Sequence, residues 1–444
     1  MYDQYYYGKM YRELIGELVA WKEKAGRKPL ILRGARQVGK TWLLKEFGDK
    51  CYKKTYYVNF DNNATVKSIF EKDISPSGVI PNLELYLGEK IDAAESLLIF
   101  DEIQEVPRAL TSLKYFCEDA PEYNIVCAGS LLGVALHEGT SFPVGKVEFL
   151  SLYPLSFTEY LRAVGKEQFA QLIADGNFDS IPSFKDIYIA ALKSYYYIGG
   201  MPEVVADFAV NADYERAREI QKRILDAYEQ DLSKHAPPQI IPRIRMIWNS
   251  IPAQISKENK KYIYGIIKEG ARAKDFELAL LWLCDCGLAH RINRVTAPRI
   301  PLKAYEDFKA FKLFILDIGL LSCMLSLSSA TILNGNALFT DFKGALTEQY
   351  VAQQMAGMKG IDLFYWTNEK GSAEVDFIAA VFGEPIPVEV KAEINLRAKS
   401  LKTFREKYEP ATSVRVSMAD FRRDGDLVNL PLYAVAAFPK VINK

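Results

Sequence analysis

An α/β fold spread over several domains is what this sequence predicts, and three stretches carry the prediction. Residues 29–47, PLILRGARQVGKTWLLKEF, run from a short apolar strand through a glycine-bounded loop into a helix with apolar positions at Trp42, Leu43, Leu44 and Phe47. Leu97, Leu98, Ile99 and Phe100 form an unbroken apolar run that ends in Asp101 and Glu102, the pattern of a strand covered on both faces of a parallel sheet. Towards the other end, YWTNEKGSAEVDFIAAVFGEPIPVEVKAE sets two turn signals between three short strand patterns.

Composition bounds the rest. With 444 residues, 49% of them hydrophobic, and 56 basic against 56 acidic side chains, the chain reads as an ordinary globular protein. Its length leaves room for about two to four domains. No apolar run approaches the roughly 18 residues that cross a bilayer, and the opening MYDQYYYGKMYREL lacks the order of a secretory signal, so a cytoplasmic protein with no membrane partner is expected. The six cysteines are scattered, and only Cys284 and Cys286 lie close, with one residue between them. That spacing is too short for the usual zinc pairs, and the cysteines are read as buried thiols in a reducing compartment. Three histidines make zinc or histidine-based catalysis a poor expectation.

The loop of residues 34–41 has the residue types that phosphate binding needs. Gly34 and Gly39 admit backbone dihedrals that a side chain forbids, so that amides through Ala35, Arg36, Gln37 and Val38 can turn towards a phosphate. Lys40 is then expected to reach the β and γ phosphates of ATP, and Thr41 to ligate magnesium, at the start of a helix whose N-terminus favours anions. Asp101 and Glu102 fall where a parallel sheet presents its ligands, at the C-terminal edge of a strand. Asp101 is expected in the magnesium shell and Glu102 as the group that orients or deprotonates water. TYYVNF at 55–60, YNIVCAGS at 123–130 and a strand at 146–152 complete the set, with Ser130 a candidate sensor of the γ phosphate.

RGARQVGKT, LLIFDEIQ, CAGS, YPLSFTEYL and IGGMPEVV together resemble the AAA-type ATPases of bacteria and archaea that carry a conserved C-terminal domain of unknown function. The resemblance spans nearly the whole chain. It implies a P-loop NTPase core with parallel strand order 5-1-4-3-2, followed by a helical segment. Relatives of this kind usually have Gly-Arg ahead of the fifth strand, where this chain has Gly145 and Lys146. A point charge replaces a planar fork there, so slow hydrolysis is expected unless a protein partner or a second copy of the chain supplies the cation.

Four domains are expected: the ATP-binding domain at 1–165, a helical lid at 166–238, a winged-helix-like domain at 239–330 and a nuclease-like domain at 331–444. The third rests on helices around RIRMIWNSI, KKYIYGIIKEG and AKDFELALLWLCDCG followed by a hairpin in LAHRINRVTAP. From Gln239 to Ala304 basic residues exceed acidic ones by seven in a chain that is neutral overall, which makes nucleic acid an expected partner. An acidic protein partner fits the same imbalance. In the fourth domain Glu389 and Lys391 share a strand face, Asp376 lies on a neighbouring strand and Glu348 on a preceding helix, an arrangement that resembles the PD-(D/E)xK nuclease fold. Glu348, Asp376 and Glu389 are the candidate magnesium ligands there, and Lys391 a candidate to hold or activate water. Two functions stay open: an ATP-driven protein whose C-terminal half binds nucleic acid, with or without cleaving it, or a nucleotide-dependent switch with an inactive nuclease-like domain bound to a protein.

Overall fold

A computed structural model describes residues 10–129, 143–257, 261–334, 343–369, 371–381, 383–392 and 399–442. The chain divides into two compact units: one takes Arg12–Tyr153 with Asp285–Gly287, the other Met1–Tyr11, Pro154–Cys284 and Leu288–Lys444. Among the described residues no helix is long and apolar enough to cross a membrane.

The first unit holds strands β1 (Leu30–Arg33), β2 (Lys54–Asn59), β3 (Ser96–Asp101), β4 (Asn124–Ala128) and β5 (Glu148–Ser151) in the order β2-β3-β4-β1-β5. Every pairing is parallel, and the order is the expected 5-1-4-3-2. β3 is buried at all of its positions, as its unbroken apolar run requires. Phe100 packs edge-on against Phe60 and Phe70, and this aromatic group continues into a core with Val58, Leu98, Leu113 and Phe116. The parallel pairing sets the C-terminal ends of the strands at one edge of the sheet, where Arg33 and Asp101 close β1 and β3.

The second unit opens with helices. Ser156 and Glu159 form a capping box for the helix Phe157–Ala163, and Asp213 caps Tyr214–His235 by accepting from the amides of Glu215 and Arg216. In IGGMPEVV, Pro202 begins the helix Pro202–Asn211, as the sequence suggests. The paired glycines have a further reason. Gly199 sits at φ 73°, ψ −163°, and a Cβ on it would lie 2.2 Å from Oδ1 of Asp317. A Cβ on Gly200 would lie 2.2 Å from the carbonyl oxygen of Leu155. The bare backbone lets Asp317, which is 0% exposed, accept from the amides of Gly200 (2.6 Å) and Leu320 (3.0 Å) and from Nε2 of Gln353 (3.1 Å).

Burial nonetheless outweighs these donors and pushes the Asp317 carboxyl up to about 6. A carboxyl raised above its unfolded value of about 3.9 favours the folded state fully below that value, and the benefit is lost as pH rises through 6. Asp317 ionisation is expected to take about 3 kcal/mol from stability between pH 4 and pH 7, two pKa steps at about 1.4 kcal/mol each. Urea midpoints across that range should fall more steeply for the unmodified protein than for Asp317→Asn. Parallel curves would show that burial does not control this group.

The eight-stranded sheet of the second unit adds β6 (Ala289–Val295), β7 (Glu306–Ile315), β8 (Asp362–Thr367), β9 (Glu374–Val381), β10 (Glu384–Val390), β11 (Ser413–Ser417), β12 (Arg422–Asp424) and β13 (Leu427–Pro431). Its order is β12-β13-β11-β10-β9-β8-β6-β7. The meander β8-β9-β10 is antiparallel, as its turn spacing indicates. LAHRINRVTAP, expected to hold a whole hairpin, forms the single strand β6, whose hairpin partner β7 lies beyond that stretch, and β6 also pairs in parallel with β8. One sheet thus runs across the boundary drawn at 330/331, and the hairpin is its edge instead of a free wing. The middle helix of the expected three is reduced to a short turn at Tyr264–Ile266. Ile263 exchanges both backbone bonds with the side chain of Gln254 (2.9 and 3.0 Å), and the amide of Tyr262 donates to Phe311 (2.8 Å), so these groups are satisfied without a helix.

Candidate functional site

The loop predicted to take phosphate lies between β1 and the helix Lys40–Cys51. Gly34 is obligatory by space, because a Cβ would come within 2.3 Å of the carbonyl oxygen of Leu152. Gly39 is left-handed at φ 90°, and Gln37 also has positive φ at 63°. Ala35 and Val38 are buried, anchoring the loop on the apolar side, while Arg36 is half-buried and Gln37 exposed. Lys40 is 7% exposed and donates through Nζ to the carbonyls of Gly34 (2.9 Å) and Ala35 (2.8 Å). Burial pulls its pKa down to about 8, against the pull of Glu102 and Asp101 in the other direction.

Thr41 donates through its hydroxyl to Oδ2 of Asp101 at 2.7 Å, which brings together the two residues expected to face magnesium. The donor set fits that ion: a hydroxyl and a carboxylate oxygen at the mouth of a helix, the remaining positions being left for phosphate and water. Glu102 follows at φ 52° and accepts from Nε2 of Gln104 at 2.5 Å, its carboxylate held by a neutral donor. Such a left-handed non-glycine residue is a local strain of the kind that gathers at functional sites. Ser130, the expected γ-phosphate sensor, lies outside the described residues. Lys146, standing where an arginine was expected, has Nζ 2.8 Å from Oε1 of Glu118.

Two residues of this site escape a reading of the sequence. Tyr57 on β2 donates its hydroxyl to Oδ2 of Asp101 at 2.8 Å, sharing that oxygen with Thr41. Burial, then Asp101, push the phenol well up, so it remains a donor. Arg12, buried, donates to the carbonyl of Val38 at 2.9 Å and to that of Tyr153 at 2.5 Å, tying the loop to the chain just after β5. It is a positioning residue, since its bond to the loop goes to the Val38 backbone. A charged hydrogen bond of this kind is worth about 1.5–3 kcal/mol, so Arg12→Met is expected to weaken the binding of a fluorescent ATP analogue about tenfold or more. Arg12→Lys should recover part of the loss; unchanged affinity in both variants would separate Arg12 from the loop.

The C-terminal candidates also converge. Glu348 lies on the helix Lys343–Ala356, Asp376 on β9, Glu389 on β10 and Lys391 just beyond it. Lys391 Nζ is 2.7 Å from Oε1 of Glu389, as two residues on one strand face should be, and Oδ2 of Asp376 accepts from the amide of Val390 at 2.7 Å. Burial opposes the charge on Lys391, but Glu389, Asp376 and Glu348 outweigh it and push its pKa up. Glu389 is pushed up by burial, with Lys391 opposing.

The magnesium expectation for this cluster does not fit what the side chains form. Among the described residues no three acidic, histidine or cysteine side chains are grouped so as to hold a metal ion. Lys312 of β7 stands among the carboxylates instead, 2.6 Å from Oε1 of Glu374 and 3.5 Å from Oε2 of Glu348. Clustered carboxylates need a cation, and here the chain supplies it. Neither Lys312 nor Glu374 is marked by the short motif that drew attention to the others.

The expected basic surface is also reduced by pairing. Arg291 is 2.8 Å from Glu277, Arg294 2.5 Å from Asp307 and Lys303 3.0 Å from Asp362. Asp307 and Asp362 lie outside the window whose charge was counted, so the local excess overstated what the surface presents. Lys402 and Arg405 in the helix Lys399–Tyr408 are likewise beside Glu406 (3.7 Å) and Asp426 (2.5 Å).

Residues 26–161 match the family model of an AAA domain. This part of the chain has a P-loop ATPase-like fold, with its parallel sheet in the order β2-β3-β4-β1-β5. Residues 189–331 and 343–434 match two domains of unknown function, DUF8612 and DUF4143, the second of which contains Glu348, Asp376, Glu389 and Lys391. No curated protein matches the sequence. Among solved structures, a Walker-type ATPase of Pyrococcus abyssi is similar at 16% identity and a TM-score of 0.45, over 71% of this chain and 96% of that one. An ORC1 protein of Aeropyrum pernix in complex with DNA is similar at 13% identity and a TM-score of 0.28, over 73% of this chain and 92% of that one.

Proposed function

We propose that the protein binds ATP with magnesium on the loop Gly34–Thr41, hydrolyses it slowly, and uses the nucleotide state to change what its second unit binds. The observation that supports this best is the 2.7 Å contact of Thr41 with Asp101, which joins the loop to the acidic end of β3. Magnesium held there would offset the charge of the β and γ phosphates. Lys40 would leave the carbonyls of Gly34 and Ala35 for phosphate oxygens, and Glu102, steadied by Gln104, would orient the attacking water. With Lys146 engaged by Glu118, no arginine replaces it at that position, and a missing arginine finger costs about 10³- to 10⁵-fold in rate. A second copy or a protein partner would have to bring the cation.

For the second unit, nucleic acid binding with cleavage and protein binding without it lead to different results. The paired states of Arg291, Arg294 and Lys303 favour the protein partner, because phosphate contacts need cations that are not already neutralised. ATP turnover measured with single-stranded DNA, duplex DNA and RNA at low and high salt distinguishes them. Turnover indifferent to all three, together with a protein retained in one nucleotide state alone, supports the switch. Salt-sensitive stimulation by any nucleic acid overturns it.

A further inference from the structure

Four carboxylates from three elements gather in the second unit, and three of them close on one ammonium. Glu348 comes from the helix Lys343–Ala356, Glu374 and Asp376 from β9, and Glu389 from β10. Lys312 reaches them from β7, at the edge of the sheet, with Nζ 5.0 Å from the ring centre of Tyr365 on β8 and 6.0 Å from that of Phe377 on β9. It ends 2.6 Å from Oε1 of Glu374, 3.5 Å from Oε2 of Glu348 and 3.9 Å from Oδ1 of Asp376, and it is 1% exposed. A lysine is rarely buried to that extent without such a group of anions.

We infer that Lys312 holds the place a divalent cation takes in a metal-dependent nuclease, and that this carboxylate cluster binds neither magnesium nor manganese. Magnesium demands oxygens at about 2.0–2.1 Å in a near-octahedral shell, and a dication would have to enter beside a buried positive charge. The ammonium already satisfies the electrostatic need that would draw the ion. Lys391, 2.7 Å from Glu389, neutralises the remaining acid of the motif in the same way. The second unit therefore keeps the acid-acid-acid-lysine pattern without the metal that would let it cleave a phosphodiester. The inference does not depend on ATP hydrolysis, and its test is made without nucleotide.

Exchanging the ammonium for an apolar side chain of similar length should turn the cluster into a metal site. The full-length protein, its Asp376→Asn and Glu348→Gln variants, Lys312→Met, and Lys312→Met combined with Asp376→Asn are each titrated with manganese alone. Bound ion is counted by electron paramagnetic resonance and the melting temperature is followed in parallel. The unmodified protein is expected to show no saturable binding that Asp376→Asn or Glu348→Gln removes. Lys312→Met should melt lower, regain stability with manganese and bind one ion more than the unmodified protein, and the double variant should lose that ion. A manganese ion bound by the unmodified protein and lost in Asp376→Asn overturns the inference, as does a folded Lys312→Met that gains none. Should Lys312→Met fail to fold, the comparison of the unmodified protein with Asp376→Asn and Glu348→Gln still decides, and any manganese at Thr41 and Asp101 is unaffected by those changes.

Discussion

Lys40→Ala is expected to weaken ATP binding and turnover by about 10²- to 10³-fold, the usual cost of removing one preorganised group from developing phosphate charge. The size follows from where the ammonium sits. It is buried, it bonds to two loop carbonyls at 2.8–2.9 Å, and the loop's other charged side chain, Arg36, is less deeply placed. Because its pKa lies near 8, binding a triphosphate above that pH must take up a proton. ATP affinity should then fall as pH rises from 8 to 9, by up to about tenfold per unit. The same titration of Lys40→Ala should lack this slope. A slope that persists in the variant would assign it to another group.

Gly199→Ala is the substitution expected to cost the fold most. The dihedrals of Gly199 fall in a region that residues with a Cβ essentially never occupy, and the added carbon would lie 2.2 Å from Oδ1 of Asp317. Relief would require Asp317 to leave the amides of Gly200 and Leu320 inside a buried network. A loss of about 3 kcal/mol or more is expected, with the melting temperature lower by on the order of 10 °C. Gly165→Ala is the control, since Gly165 also has positive φ but a Cβ there meets nothing within 4 Å. Equal losses in the two variants would show that backbone conformation, and not the approach of Asp317, sets the cost.

The parts of this molecule that a single sequence reveals are those specified by neighbours along the chain. The loop Gly34–Thr41, the buried run of β3 and its two carboxylates are local patterns, and the strand order followed from a resemblance in several such patterns taken together. What was missed depends on residues far apart in sequence. Arg12 supports the loop from ahead of β1, and Asp317 gives Gly199 its second reason to be glycine. The parallel pairing of β6 with β8 joins segments assigned to different domains, and hydrophobic periodicity contains no sign of it. KKYIYGIIKEG has apolar spacing that suits a helix, but Gly265 weakens that helix and Gln254 offers its backbone other partners. The charge count failed in a similar way, because it stopped at Ala304 while Arg294 and Lys303 find their acids in Asp307 and Asp362. At the C-terminal cluster the motif brought the right carboxylates together and left out Lys312, the residue that changes their chemistry.

Phosphate release by the purified full-length protein tests most directly whether the loop and β3 form a hydrolytic centre. Initial rates are measured with ATP and magnesium, with the metal chelated, and in Glu102→Gln, while ATP binding is followed on the same samples. Slow release that stops without magnesium, and a Glu102→Gln variant that still binds ATP but has lost about 10²-fold or more of its rate, are the expected results. Release at an unchanged rate in Glu102→Gln, or in the absence of magnesium, would contradict hydrolysis at Thr41, Asp101 and Glu102.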